Sequence, residues 1–204
     1  MSPVYFFYPI LDKLNDGKVI RTALTLALRI LGVLFLLGGL YFLIDLLKAS
    51  FRLPTEGTIG GLIFAILFLA ALLAVVQIFF YRAASIRDLG ESPFTVIPMF
   101  SILFRAAGEV YATLGVAVGV GGCLFIWFSG ISPLMLLGEL GGLFPSSSAG
   151  NTFLSGVLFL VSLTVLSFVV LVVNYFVAEA IIVLVDIAKN IQLLVKQSGG
   201  TAQP

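Results

Sequence analysis

GTIGGLIFAILFLAALLAVVQIFFY, residues 57–81, is a run of 25 residues without a single charge and with almost no polar side chains. An α-helix rises about 1.5 Å per residue and the hydrocarbon core of a bilayer is about 30 Å thick, so roughly 20 apolar residues span it. Two longer uncharged runs follow, 110–138 and 140–178, and a fourth, 22–44, is interrupted only by Arg29. The reading is an all-α integral membrane protein: a four-helix bundle in a single domain over residues 1–204, with spans at about 22–44, 57–81, 107–130 and 153–178.

Composition agrees. The chain is 60% hydrophobic and 10% charged, with mean hydropathy +1.19, whereas soluble domains carry about 25% charged residues. With 204 residues and four spans, little chain remains for a soluble catalytic domain. A net charge of +1 gives no case for nucleic acid. There is no histidine, which removes the usual axial ligand of haem, the commonest zinc ligand and the usual proton shuttle near neutral pH. No cofactor or metal is therefore expected, although a lipid, quinone or pigment held by packing stays open. The lone Cys123 lies inside an apolar run and reads as a small packing residue.

The N-terminus does not read as a signal peptide, because Pro3, Pro9 and Asp12 interrupt it. Tyr5, Phe6, Phe7 and Tyr8 suit the headgroup layer, or a docking contact. Basic residues in short loops favour the cytoplasmic side. Placing both termini there leaves eight basic residues inside and only Lys48 and Arg52 outside, with Arg29 within a helix. The external loop that follows Phe128 is unusually apolar, and 146–150 is its candidate flexible tip.

The two halves look related. Ser2, Pro3 and Pro9 precede the first helix as Ser92, Pro93 and Pro98 precede the third. Gly17, Val19 and Thr22 match Gly108, Val110 and Thr113 at an offset of 91, and Thr58 and Tyr81 match Thr152 and Tyr175 at 94. These offsets suggest a duplicated two-helix hairpin.

Helix three carries a stripe of small or polar residues that includes Gly108, Gly115, Gly119 and Gly122. Steps of three and four keep them on one face, where small residues let helices approach closely within lipid. The stripe is either an internal packing seam or a homo-oligomer contact. Arg105 and Glu109, four apart, can pair directly. Arg82, Glu179 and Arg29 fall toward the same leaflet, so Arg29, Arg82, Arg105, Glu109 and Glu179 form a candidate ion-pair network. The sharper alternative is an ion or proton path using Glu109 and Glu179.

The stretch 151–196 is too long for one span and is expected to leave the bilayer near Glu179 as an amphipathic cytoplasmic extension, 179–196. Leu184, Ile187, Ile191 and Leu194 fall on its apolar half, while Ile182 and Val185 intrude on the polar half. That apolar half is the candidate docking surface.

The segment EAIIVLVDIAKN, 179–190, resembles the last helix of a family of small, uncharacterised bacterial two-span membrane proteins, which leaves the membrane through a Glu, an apolar run and an Asn-containing end. The resemblance covers about a dozen of 204 residues and implies a bacterial cytoplasmic membrane location but no activity. With no nucleophile elbow, phosphate loop or paired carboxylates, an enzyme is not expected. A scaffold or accessory subunit fits best, its partners the lipid bilayer and a further protein or a second copy. A small channel or transporter is the alternative.

Overall fold

The structure, a computed structural model, describes residues 18–89, 96–131 and 152–199. It is all-helical in these segments: α1 (Lys18–Ser50), α2 (Thr55–Arg87), α3 (Val96–Ser129) and α4 (Thr152–Gly199). All four are long and apolar enough to cross a membrane. The aromatic segment 5–8, the loop 132–150, and the repeat residues Ser2, Pro3, Pro9, Gly17, Ser92 and Pro93 lie outside the described residues.

The helices outrun the spans read from sequence. The first three have 33, 33 and 34 residues, about 50 Å each, because hydrogen bonding along the backbone does not stop where side chains become charged. The α1–α2 turn is tight. Pro54, at φ −53°, sets up α2 at the position preceding it, and the Thr58 hydroxyl donates to the Ser50 and Leu53 carbonyls at 3.0 and 3.3 Å. Past the end of α3, Gly130 takes φ +70° and its N–H returns to the Ile126 carbonyl at 2.8 Å, a left-handed stop that glycine adopts at little cost.

Each helix packs chiefly on the one before it, and contacts between non-consecutive helices are slight. The first three helices share two apolar clusters. Leu28, Val75, Phe79, Ala83, Ile86 and Met99 form one; Leu46, Phe64, Ala65 and Phe125 form the other, nearer the α1–α2 turn. Close approaches fix the α1–α2 register. Gly61 faces Ser50, Gly39 faces Leu72 and Gly32 faces Phe79. A side chain at Gly61 would run into the Ser50 hydroxyl.

Along α4, Gly108 faces Asn174, Gly115 faces Ser167 and Gly119 faces Leu163 and Leu160. The glycine stripe thus supplies the α3–α4 seam within the chain; Gly122 is buried on the same helix. Trp127 closes the far end of this seam. Its indole N–H donates to the Phe153 carbonyl at 3.1 Å and its ring stacks on Phe153 at 5.1 Å, with Gly156 leaving the room.

Two expectations need correction. Helix four does continue past Glu179, running unbroken for 48 residues, about 72 Å, but the amphipathic division expected of 179–196 is not supported. Beyond Glu179 its buried position is Val185, flanked by half-buried Ile181, Ala188 and Lys189, while Leu184, Ile187, Ile191 and Leu194 are 50–65% exposed. Packing on α3 chooses the buried side, and that side is not the one a polar–apolar division of the helix selects. The repeat register is also only half reproduced. An offset of 94 from α2 lands three residues before the start of α4, but 91 from α1 would run α3 from 109 to 141 rather than Val96–Ser129.

Candidate functional site

A half-buried cluster of polar side chains centres on Glu109, one turn beyond Arg105 on α3. Gly108, beside it, has no side chain, and a Cβ there would lie 2.9 Å from that of Asn174. This close approach lets Tyr175, the next residue on α4, reach across the seam: its hydroxyl donates to Glu109 Oε1 at 2.5 Å. Asn174 turns back along its own helix, donating Nδ2 to the Val170 carbonyl at 2.8 Å.

From the other side Arg82 of α2 forks onto the same carboxylate. Its Nε donates to Oε2 at 2.9 Å, and an Nη2 contact to Oε1 completes a bidentate pair. The Arg82 and Glu109 side chains are only 13% and 21% exposed, so the pair is substantially withdrawn from solvent. Arg82 also reaches the Tyr175 hydroxyl at 3.4 Å. Arg105 lies over the Tyr175 ring, Cζ 5.6 Å from its centroid, and its buried Nε has no hydrogen-bond partner. One carboxylate thereby ties three helices together, with three of its roughly four acceptor positions taken. Chemically this is a clamp with a surplus positive charge, since two guanidiniums surround one carboxylate.

The sequence-predicted charges do not all meet here. The structure brings together Arg82, Glu109 and, through Tyr175, Arg105. The register that sets Gly32 against Phe79 puts Arg29 level with Arg82, but Arg29 is exposed on α1 and makes no ion pair among the described residues. Glu179 is exposed on α4, one turn past Tyr175, and likewise makes none. Sequence reasoning missed Tyr175 as a partner of Glu109. The available signal was its hydroxyl in an apolar run, beside Asn174. It also missed Thr25 and Arg87, which line a cavity with Arg29.

Among the described residues no group of three or more His, Cys, Asp or Glu is placed to hold a metal ion. The fold and the clamp define a class: an all-helical protein with four helices able to cross a membrane, fastened internally by one partly buried Arg–Glu–Tyr cluster. No family model, curated protein or solved structure matches the chain.

Proposed function

We propose that the protein is a non-catalytic scaffold or accessory subunit of a larger assembly in the bacterial cytoplasmic membrane, with both termini cytoplasmic. The observation that carries this reading is the exposed apolar end of α4. The register that seats Gly108 on Asn174 and Gly119 on Leu163 makes Val96, the first residue of α3, level with Asp186. The remaining turns of α4 run past α3 with Ile187, Ile191, Leu193, Leu194 and Val195 each at least half exposed. A bare apolar rod of this kind needs cover. A lipid surface would usually call for a strongly basic polar face, whereas Glu179 and Asp186 offset Lys189 and Lys196 here. That balance favours protein contact. The orientation rests on arginine asymmetry: Arg21, Arg29, Arg82, Arg87 and Arg105 gather at one end of the helices, opposite Lys48 and Arg52.

A photo-crosslinking side chain at Leu194 should give a discrete protein adduct in native membranes, and one at Ile66, 68% exposed on α2, should give lipid adducts only. Truncation after Asp186 should leave the spans inserted and abolish the protein adduct's partner from co-purification. Only lipid adducts at Leu194 would overturn the reading, as would a robust cation or proton flux in liposomes that Glu179→Gln abolishes. In a Cys123→Ala background, an impermeant thiol reagent added outside should label a cysteine at Ser147 and not one at Ser198. The reverse pattern would invert the orientation.

A further inference from the structure

At their arginine end α1 and α2 enclose a cavity of about 270 Å³, lined by Arg21, Thr22, Thr25, Leu26, Arg29 and Arg87. Three guanidiniums contribute to it and, among the described residues, no carboxylate does. Arg87 touches Asp88 at 3.4 Å, but both side chains are well exposed, so the guanidinium stays solvated and able to reorient. Arg29 is exposed and makes no ion pair among the described residues.

Thr25 is the second observation. It is only 8% exposed, yet its hydroxyl has no hydrogen-bond partner. Ser50, Ser85, Thr113 and Ser129 all satisfy theirs by donating to the carbonyl four residues back. A buried hydroxyl left unpaired in a helix that could satisfy it locally is costly, and a ligand at the site would relieve that cost. Guanidinium forks at Arg29 and Arg87 plus the Thr25 hydroxyl donor suit an anion bearing several oxygens on one centre.

Depth and surroundings narrow the class. Arg29 stands level with Arg82, just beyond the uncharged run 57–81, which is headgroup depth for a spanning helix. From Leu26 at the cavity, an exposed apolar stripe continues through Ile30, Val33 and Leu37 at helical spacing toward the middle of the span. We propose that this cavity binds the phosphate ester of an anionic phospholipid in the leaflet at the arginine end, with an acyl chain lying along Leu26, Ile30, Val33 and Leu37.

The test uses the full-length protein, delipidated in a mild detergent and titrated with phosphatidylglycerol, phosphatidylcholine or inorganic phosphate, with bound molecules counted by native mass spectrometry. Phosphatidylglycerol should bind at least about fivefold more tightly than phosphatidylcholine. Arg29→Gln and Arg87→Gln should each reduce its affinity about fivefold, the share of one basic residue at an anionic surface. Thr25→Val should weaken it as well, and Arg52→Gln, at the opposite end of the helices, should not change it. Because Arg87 is largely exposed, its variant stays informative if Arg29→Gln fails to fold. Equal binding of the two lipids, or equal affinity in wild type and Arg87→Gln, overturns the proposal. Arginine-dependent binding of inorganic phosphate, with no preference between the lipids, overturns the lipid source and assigns the site to a soluble phosphate.

Discussion

Replacing Arg82 with Met removes the bidentate half of the clamp while keeping much of the side chain's volume. Glu109 then retains one donor, the Tyr175 hydroxyl, beside an Arg105 that is aimed at a ring rather than at the carboxylate. Breaking a buried ion pair from one side costs about 3–5 kcal/mol. The pair is 13% and 21% exposed and one donor remains, which places this case at about 2–3 kcal/mol. Glu109→Leu should cost a similar amount, about 2–3 kcal/mol, because it leaves Arg82 and Arg105 as neighbouring like charges with no carboxylate between them. The double variant removes both desolvated charges together and strands only the Tyr175 hydroxyl, at about 1 kcal/mol. The double should therefore be more stable than either single, with a coupling of at least about 2 kcal/mol. Detergent-induced unfolding in mixed micelles, followed by the fluorescence of Trp127, the chain's one tryptophan, measures all four corners of the cycle. Single effects that add to within about 0.5 kcal/mol would show that the clamp does not act as a unit.

Gly115→Ala should destabilise the α3–α4 seam by about 1–3 kcal/mol, because its Cβ overlaps the Ser167 hydroxyl, and Ser167→Ala should recover most of the loss in the same unfolding assay. Trp127→Phe should cost about 1 kcal/mol by circular dichroism, through loss of the indole bond to the Phe153 carbonyl; an unchanged midpoint would mean that α4 is not held there. Thr58→Val should cost about 1 kcal/mol and loosen the α1–α2 turn, seen as faster amide exchange at Phe51, Arg52 and Leu53.

The spans were legible in the sequence because lipid imposes a length on apolar runs that no other environment does. Their ends were not. Arg82, Arg105 and Glu179 read as boundaries, yet the helices run through all three, since a long charged side chain can reach the interface or a partner without the backbone unwinding. The glycine stripe on helix three was visible as spacing, but nothing in one sequence says which neighbour approaches it. Only the assembled α3–α4 seam does. The charge cluster shows the same division. Sequence spacing offers Arg105 and Glu109 as a local pair, while the structure gives Glu109 to Arg82, 27 positions away, and to Tyr175, 66 positions away. Geometry favours the distant donors because Arg82 approaches with both nitrogens facing the carboxylate and Tyr175 arrives over a glycine. A polar–apolar division of 179–196 selects one face of α4; the buried and half-buried positions instead include Ala178, Ile181, Val185 and Ala188.

The placement of the arginines explains why α1 stands apart. The close approaches along α1–α2 put Arg29 level with Arg82, and Phe125 against Phe64 sets α3 so that Arg105 comes near the same depth. Three guanidiniums thus share one layer, and among the described residues Glu109 is the carboxylate that is drawn in with them. It serves α2, α3 and α4. At that end of the molecule Ile20, Leu24 and Leu28 of α1 join the apolar cluster that holds Ile86 and Met99. Such contacts resist separation, and the close approach of Gly32 to Phe79 holds the register nearby. At the other end of α1, Thr58 donates to the Ser50 carbonyl. An anion bridging Arg29 and Arg87 would supply at the open end what Glu109 supplies to the other three helices, and the three arginines and buried threonine hydroxyl stand where such a bridge requires them.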